Sequence, residues 1–218
     1  MFFCSNMLIN ASIIRKTHLQ SIAHADIATA PISVLVQKIA DLGFDISAIT
    51  QMKSEARLRE WLSIRFLTYE IFGKASEIKY STSGKPFLQN EKAHVSFSHS
   101  KNKIAIALDF EKPTGIDIQK ISSKLQAIKH KFLHPAEVHR RKTYSTEELS
   151  VFWSAKEAIY KVYGHPEIFL RDIRIDEFIF NGKGSSVKGY LQLDGKEHVF
   201  FIKYEQIEDY LLAYAANP

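Results

Sequence analysis

At 218 residues, with 45% hydrophobic and 24% charged side chains, the chain has the length and composition to bury a sizeable core, which excludes the disordered class. Its formal net charge of +5, from 29 basic and 24 acidic residues, favours an anionic small molecule or an acidic protein surface. It shows no arginine-rich arm, and neither a nucleic-acid nor a membrane partner is expected. Cys4 is the single cysteine, which excludes an internal disulfide or thiolate metal site. No segment approaches the roughly 18 apolar residues of a membrane span. Residues 1–11 are apolar, but the first positive charges, Arg15 and Lys16, follow that run rather than precede it. The expected location is a reducing cytoplasmic compartment.

Residues 1–50 are loosely patterned. Apolar runs at 7–14 and 32–39, expected to form a strand and a helix, flank a polar, alanine-rich separator at 24–30. Ser54-Glu55-Ala56-Arg57 opens a clearer helix. Leu58, Trp61, Leu62, Ile64, Leu67 and Ile71 recur at helical spacing, and Gly73 stands where the helix should stop. Arg57 and Arg65, two turns apart, are expected to share a side. Gly84-Lys85-Pro86 punctuates the chain before a short extended run at Phe87-Leu88, and residues 95–98 read as a strand end. Ile104, Ile106, Leu108 and Phe110 alternate as in a half-buried strand.

Pro113-Thr114-Gly115 turns the chain into a strand on which Ile116 and Ile118 point one way, Asp117 and Gln119 the other. Ser145-Thr146-Glu147-Glu148 has the form of a capping box, starting a helix that runs to about Tyr163, before Gly164 and Pro166. On that helix Phe152, Ala155, Ile159 and Val162 face inward, while Trp153, Glu157 and Lys161 form an adjoining stripe. Strands at 187–193 and 198–204 flank the hairpin signal Asp194-Gly195, and 211–215 adds a last strand. The expected fold is α+β: a pseudo-twofold pair of similar subdomains, each a long helix on a small antiparallel sheet. The boundaries fall at 1–110, with the basic helix and Ser-His-Ser, and 111–218, with the metal-binding acids.

Two carboxylates brought together, Asp117 from a strand and Glu157 from a helix, can hold a divalent cation, and Lys161 can meet a phosphate that the cation attracts. Read singly, each has a plainer meaning. Asp117 is also a turn-capping carboxylate, and Glu157 with Lys161 is also a solvated pair one turn apart. Ser98-His99-Ser100 suits an anion at a strand end and equally a polar loop. Lys129-His130-Lys131 and His139-Arg140-Arg141-Lys142 can steer an acidic partner or simply face water. Neither a Gly-x-Ser-x-Gly elbow nor a Gly-rich loop ending in Gly-Lys-Ser or Gly-Lys-Thr is present.

Taken together, Gly84-Lys85-Pro86, Ser98-His99-Ser100, Gly115-Ile116-Asp117 and Phe152-Trp153-x-x-Lys156-Glu157-x-x-x-Lys161 resemble the 4'-phosphopantetheinyl transferase superfamily, in its longer, two-lobed monomeric branch. The resemblance implies transfer of 4'-phosphopantetheine from coenzyme A to a serine of an apo acyl or peptidyl carrier protein, with release of adenosine 3',5'-bisphosphate. It implies magnesium held by Asp117, Gln119 and Glu157, with Glu157, Lys161 and Asp117 as catalytic residues. Coenzyme A would meet Lys53, Arg57, Lys85, Ser98, His99, Lys156 and Lys161. Many relatives carry a third acid where this chain has Gln119, which brings no negative charge. Carrier proteins of this kind are acidic, so the basic stretch 129–142 is the expected docking region. The alternative is a noncatalytic relative that binds coenzyme A or an acidic protein.

Overall fold

The computed structural model describes residues 10–164 and 167–216. Cys4, Pro166 and the start of the first apolar run lie outside the described residues. The architecture is α+β, with two antiparallel sheets stacked face to face and helices on the outer side of each. The first sheet comprises β1 (Ala11–Lys16), β2 (Gln20–Asp26), β3 (Ile78–Tyr80), β4 (Pro86–Leu88), β5 (His94–Ser100) and β6 (Lys103–Asp109), in the order β1-β2-β6-β5-β4-β3. The second comprises β7 (Thr114–Lys120), β8 (Ile173–Ile175), β9 (Ser185–Leu193), β10 (Lys196–Ile207) and β11 (Tyr210–Ala216), in the order β7-β11-β10-β9-β8.

Two 18-residue helices cover these sheets, α2 (Glu55–Phe72) and α5 (Thr146–Tyr163), with α1 (Ile32–Asp41) beside α2. Local chemistry sets their ends. Ser54 caps α2, accepting a hydrogen bond from the Arg57 amide, and Gly73 closes it in the left-handed conformation at φ 83°. Ser145 and Glu148 form the reciprocal capping box of α5, and Gly164 ends it at φ 63°. The short α3 (Lys124–Ile128) and α4 (Pro135–Arg140) fill the stretch between β7 and α5.

Three apolar clusters hold the layers together. Leu62, Phe66, Leu67 and Ile71 of α2 pack on Ala23, Ala25, Ile104, Ile106 and Leu108 of the first sheet. Phe152, Ala155, Ile159 and Val162 of α5 pack on Ile173, Phe200, Ile202 and Leu211 of the second. Between the sheets lie Ile22, Ala105, Ala107, Ile116, Ile118 and Leu212. The core is therefore four layers deep, helix–sheet–sheet–helix, which corrects two sequence expectations. Residues 104–108 are not half-buried: all of β6 is buried, because α2 covers one face and the second sheet the other. The supposed separator at 24–30 begins inside β2, a strand between β1 and β6 whose Ala23 and Ala25 pack beneath α2. Arg57 and Arg65 also part company. Arg57 is exposed, whereas Arg65 is buried with its guanidinium 3.3 Å above the Trp61 ring.

Candidate active site

Strand β7 lies at the edge of the second sheet, and its free side faces β5 of the first. Ser96, Ser98 and Ser100 alternate along one face of β5 and bridge this seam. The Ser96 and Ser100 hydroxyls accept from the backbone N–H groups of Ile116 and Lys120, each at 3.1 Å. Ser98 Oγ donates to Asp117 Oδ1 at 2.8 Å. These three side chains satisfy an edge that lacks a backbone partner there and fix the two lobes in register.

Helix α5 crosses β7 at very short range, made possible by Gly115. A Cβ at that position would stand 2.0 Å from the Ala158 carbonyl oxygen. The close crossing brings helix side chains onto the strand carboxylate. Lys161 Nζ donates to Asp117 Oδ1 and to the Ile116 carbonyl, both at 2.9 Å. Lys161 thus reaches the strand acid, not Glu157 one turn behind it. Asp117 is buried, and its other oxygen, Oδ2, is enclosed without a hydrogen-bond partner among the described residues. Glu157 stands half-buried close by, and its carboxyl is pushed up to about 6, by burial first and then by the negative charge of Asp117, against the opposing pull of Lys161. An orphaned carboxylate oxygen beside a second carboxylate that repels it is an arrangement completed by a cation. Gln119 follows two positions along the same face of β7. Its Nε2 donates to the Lys120 carbonyl at 3.2 Å, which leaves its amide oxygen available.

A cleft of about 270 Å³ opens beside this cluster, between the lobes. Lys85, His99 and Lys161 line it, with Glu60 and Ile64 of α2 forming a wall and Tyr160 and Gly164 closing the α5 end. A second, more open groove of about 600 Å³ meets it at Glu60 and His99 and continues past Arg59 and Lys101. Together they form an elongated trough whose charged lining is predominantly cationic. Lys85 Nζ donates to the Val162 carbonyl at the end of α5, and burial lowers its pKa. His99 Nδ1 lies 2.9 Å from Glu60 Oε1, and its pKa is raised chiefly by that hydrogen bond, against burial.

The site residues read from sequence divide into three groups. Asp117, Glu157 and Lys161 meet at the seam with Gln119 two positions along β7, while Lys161, Lys85 and His99 line the cleft beside it. Ser98 touches Asp117 from within the seam and is buried, so it orients the carboxylate rather than lining the trough. Lys156 does not reach the trough. It is fully buried on the opposite side of α5, where Nζ donates to Glu137 Oε2 and the Phe132 carbonyl, each at 2.7 Å, and burial lowers its pKa. Its assignment to coenzyme contact is therefore corrected to a core ion pair that ties α4 to α5. Glu137 also receives the His134 and Ile175 amides at 2.7 Å, so its carboxylate is saturated. Lys53 and Arg57 are exposed at the start of α2 and line neither stretch of the trough, where Arg59 stands instead. Trp153 packs edge-on against Phe132 at 5.3 Å and serves the core. Glu60 is the residue sequence reading missed: only its contact with His99 across α2 and β5 reveals it.

The two lobes and the acid–lysine cluster at their seam define a two-lobed α+β protein with paired carboxylates beside a cationic cleft. Residues 113–215, which carry Asp117, Gln119, Glu157 and Lys161, match the sequence model of the 4'-phosphopantetheinyl transferase superfamily. The chain is also 30% identical over 141 residues to a protein of Bacillus subtilis described as a 4'-phosphopantetheinyl transferase, the alignment covering 62% of this chain and 61% of that one. Both comparisons are similarities to 4'-phosphopantetheinyl transferases over part of the chain. The aligned part spans somewhat less than two thirds of that relative's length.

Proposed function

We propose that this protein transfers the 4'-phosphopantetheine arm of coenzyme A to a serine of an apo acyl or peptidyl carrier protein, releasing adenosine 3',5'-bisphosphate, in a magnesium-dependent reaction. The observation that carries this reading is the meeting of Asp117, Glu157 and Lys161 at the seam, with Lys161 also lining a trough together with Lys85 and His99. Asp117 Oδ2, the Glu157 carboxylate and the Gln119 amide oxygen are the groups that would hold magnesium. With one neutral ligand among three, this donor set leaves more of the ion's coordination to water and to donor oxygens. When bound, the metal supplies neutralisation of the pyrophosphate charge.

The remaining chemistry falls to the chain's own residues. The carrier serine oxygen forms a bond to the phosphorus bearing pantetheine, and the bond from that phosphorus to the bridging oxygen breaks, so the electron pair leaves with the adenosine bisphosphate. Lys161, held by two oxygens on β7, stands where it stabilises the departing negative charge. Glu157, whose carboxyl is raised to about 6, is ionised at neutral pH yet basic enough to take the serine proton directly or through water. Burial works against the charged form of Lys85, and an anion in the cleft would favour that form.

In this reading the lobes 1–110 and 111–218 divide the work, the first shaping the donor trough and the second providing the acids and their lysine. The protein acts as a cytoplasmic monomer; among the described residues no helix is long and apolar enough to cross a membrane. The acidic carrier docks on the basic stretch 129–142, where Lys131, His139 and Lys142 are exposed. Incubation with coenzyme A, magnesium and a panel of apo carrier proteins tests the proposal by intact mass. The expected gain on the carrier is about 340 Da, the mass of the transferred group. Asp117→Ala and Glu157→Ala should abolish the gain with the fold retained. Near-normal turnover by either variant, or coenzyme binding with no change in carrier mass, would overturn it.

A further inference from the structure

Among the described residues, every charged side chain on the trough beside the acid cluster is a cation or an imidazole, except Glu60. A carboxylate in the middle of an anion-binding surface should weaken binding unless it serves a neighbour. Its neighbour is His99, with Glu60 Oε1 2.9 Å from Nδ1. Glu60 is three-quarters buried at its side chain, whereas the imidazole remains about half exposed, so one ring edge is engaged and the other faces the trough. We infer that Glu60 is a positioning residue for donor binding: its carboxylate holds His99 Nδ1–H and turns a protonated Nε2–H toward the donor's phosphates. The inference rests on the coenzyme A reading above.

The chemistry follows from the two ring nitrogens. A carboxylate on Nδ1 fixes that nitrogen as a donor and, by its charge, favours protonation of the other. Nε2 then presents a charge-assisted donor to an anion, about twice as strong as a neutral one. Without Glu60, the imidazole is free to present an unprotonated nitrogen, which repels phosphate oxygens. The groups around the ring pull in both directions. Glu60 from α2 and Asp117 from β7 favour the charged ring, while Lys161 from α5 and burial oppose it, and Glu60 exerts the largest effect. Arg59 and Lys101 line the neighbouring groove and face the same anion. Arg59 is itself anchored by the Ala28 and Ala30 carbonyls at 3.1 and 2.7 Å and by Glu55, so Glu60 has no claim on it among the described residues.

The test measures coenzyme A affinity by calorimetry between pH 5.5 and 8.5 for the full chain, Glu60→Gln, His99→Asn and the double variant, alongside the His99 ring titration by NMR. Glutamine keeps the hydrogen-bond acceptor and removes the charge. In the wild type, affinity should be high below the raised His99 pKa and fall as pH rises through it. In Glu60→Gln that fall should come at lower pH, with affinity at pH 7.5 reduced on the order of tenfold and nearly unchanged at pH 5.5. Adding Glu60→Gln to His99→Asn should change nothing further, and kcat with saturating donor should hold while KM rises. Tighter binding in Glu60→Gln, an equal loss at every pH, or an unmoved His99 titration would overturn the inference alone. No coenzyme A binding by the wild type at any pH would overturn it together with the transferase reading.

Discussion

Replacing Gly115 by alanine should damage both the fold and the chemistry, for a purely steric reason. The added Cβ would lie 2.0 Å from the Ala158 carbonyl oxygen and 3.0 Å from both the Ala158 carbonyl carbon and the Val162 nitrogen. All three are backbone atoms of α5, so no side-chain rotation relieves the clash. The helix would have to recede by about 1 Å or more, and overpacking of this kind typically costs about 1–3 kcal/mol. For a chain of this size that corresponds to a fall in Tm of roughly 3–10 °C. The same displacement would pull Lys161 off Asp117, now at 2.9 Å, and a misplacement of about 1 Å near reacting groups can cost on the order of a hundredfold in rate. Thermal denaturation and carrier modification read by intact mass would be measured on the same preparation. A Tm within 1 °C of wild type, by the same size scaling about 0.3 kcal/mol or less, would refute the close-crossing argument, as would turnover within about twofold.

Removing one member of the buried Lys156–Glu137 pair is a different perturbation. Lys156→Met should cost about 3–5 kcal/mol in urea denaturation by leaving a buried carboxylate without its cation, and any folded fraction should retain the wild-type KM for coenzyme A. The Glu157 carboxyl offers a pH signature. Its folded pKa of about 6 lies above the ordinary 4.5, so the metal-free fold binds an extra proton between those values and loses stability as pH rises through the window. The loss should amount to about 2 kcal/mol, and it should vanish in Glu157→Gln when denaturation at pH 4 and pH 7.5 is compared. On the carrier side, Lys131→Glu with Lys142→Glu should raise the carrier's KM severalfold while sparing that of coenzyme A. Arg141 is a poorer probe of docking, because it is tied to Glu148 and lies 4.4 Å over the Tyr144 ring.

Features decided within a few residues were legible in the sequence. Ser54 and Gly73 bound α2, Ser145 with Glu148 and Gly164 bound α5, and both Asp194 and Gly195 adopt positive φ in the β9–β10 hairpin. The alternation that sent Ile116 and Ile118 inward and left Asp117 on the other face was equally local. Four short motifs in order carried the resemblance, and two of them lie within the residues 113–215 that match the family model. What escaped depends on contacts between distant segments. Lys156 and Glu157 are adjacent in sequence, yet α5 turns one into the core toward α4 and the other toward the seam. Glu60 acquires its meaning only when α2 is laid on β5, and β6 is buried on both sides only because a second sheet covers the first. Periodicity marks which face is apolar; it carries no information about how many layers stack above it.

The serine bridge across β5 and β7 joins what the family match leaves apart. Residues 113–215 own the carboxylates and the lysine, whereas Lys85, Ser98 and His99 come from earlier in the chain. A polypeptide reduced to that later half would keep the carboxylates and their lysine and lose the opposite wall of the trough. It would regain one only by leaning on a neighbouring subunit. Here covalent linkage supplies the neighbour permanently, so assembly of the reaction chamber is independent of protein concentration and survives dilution.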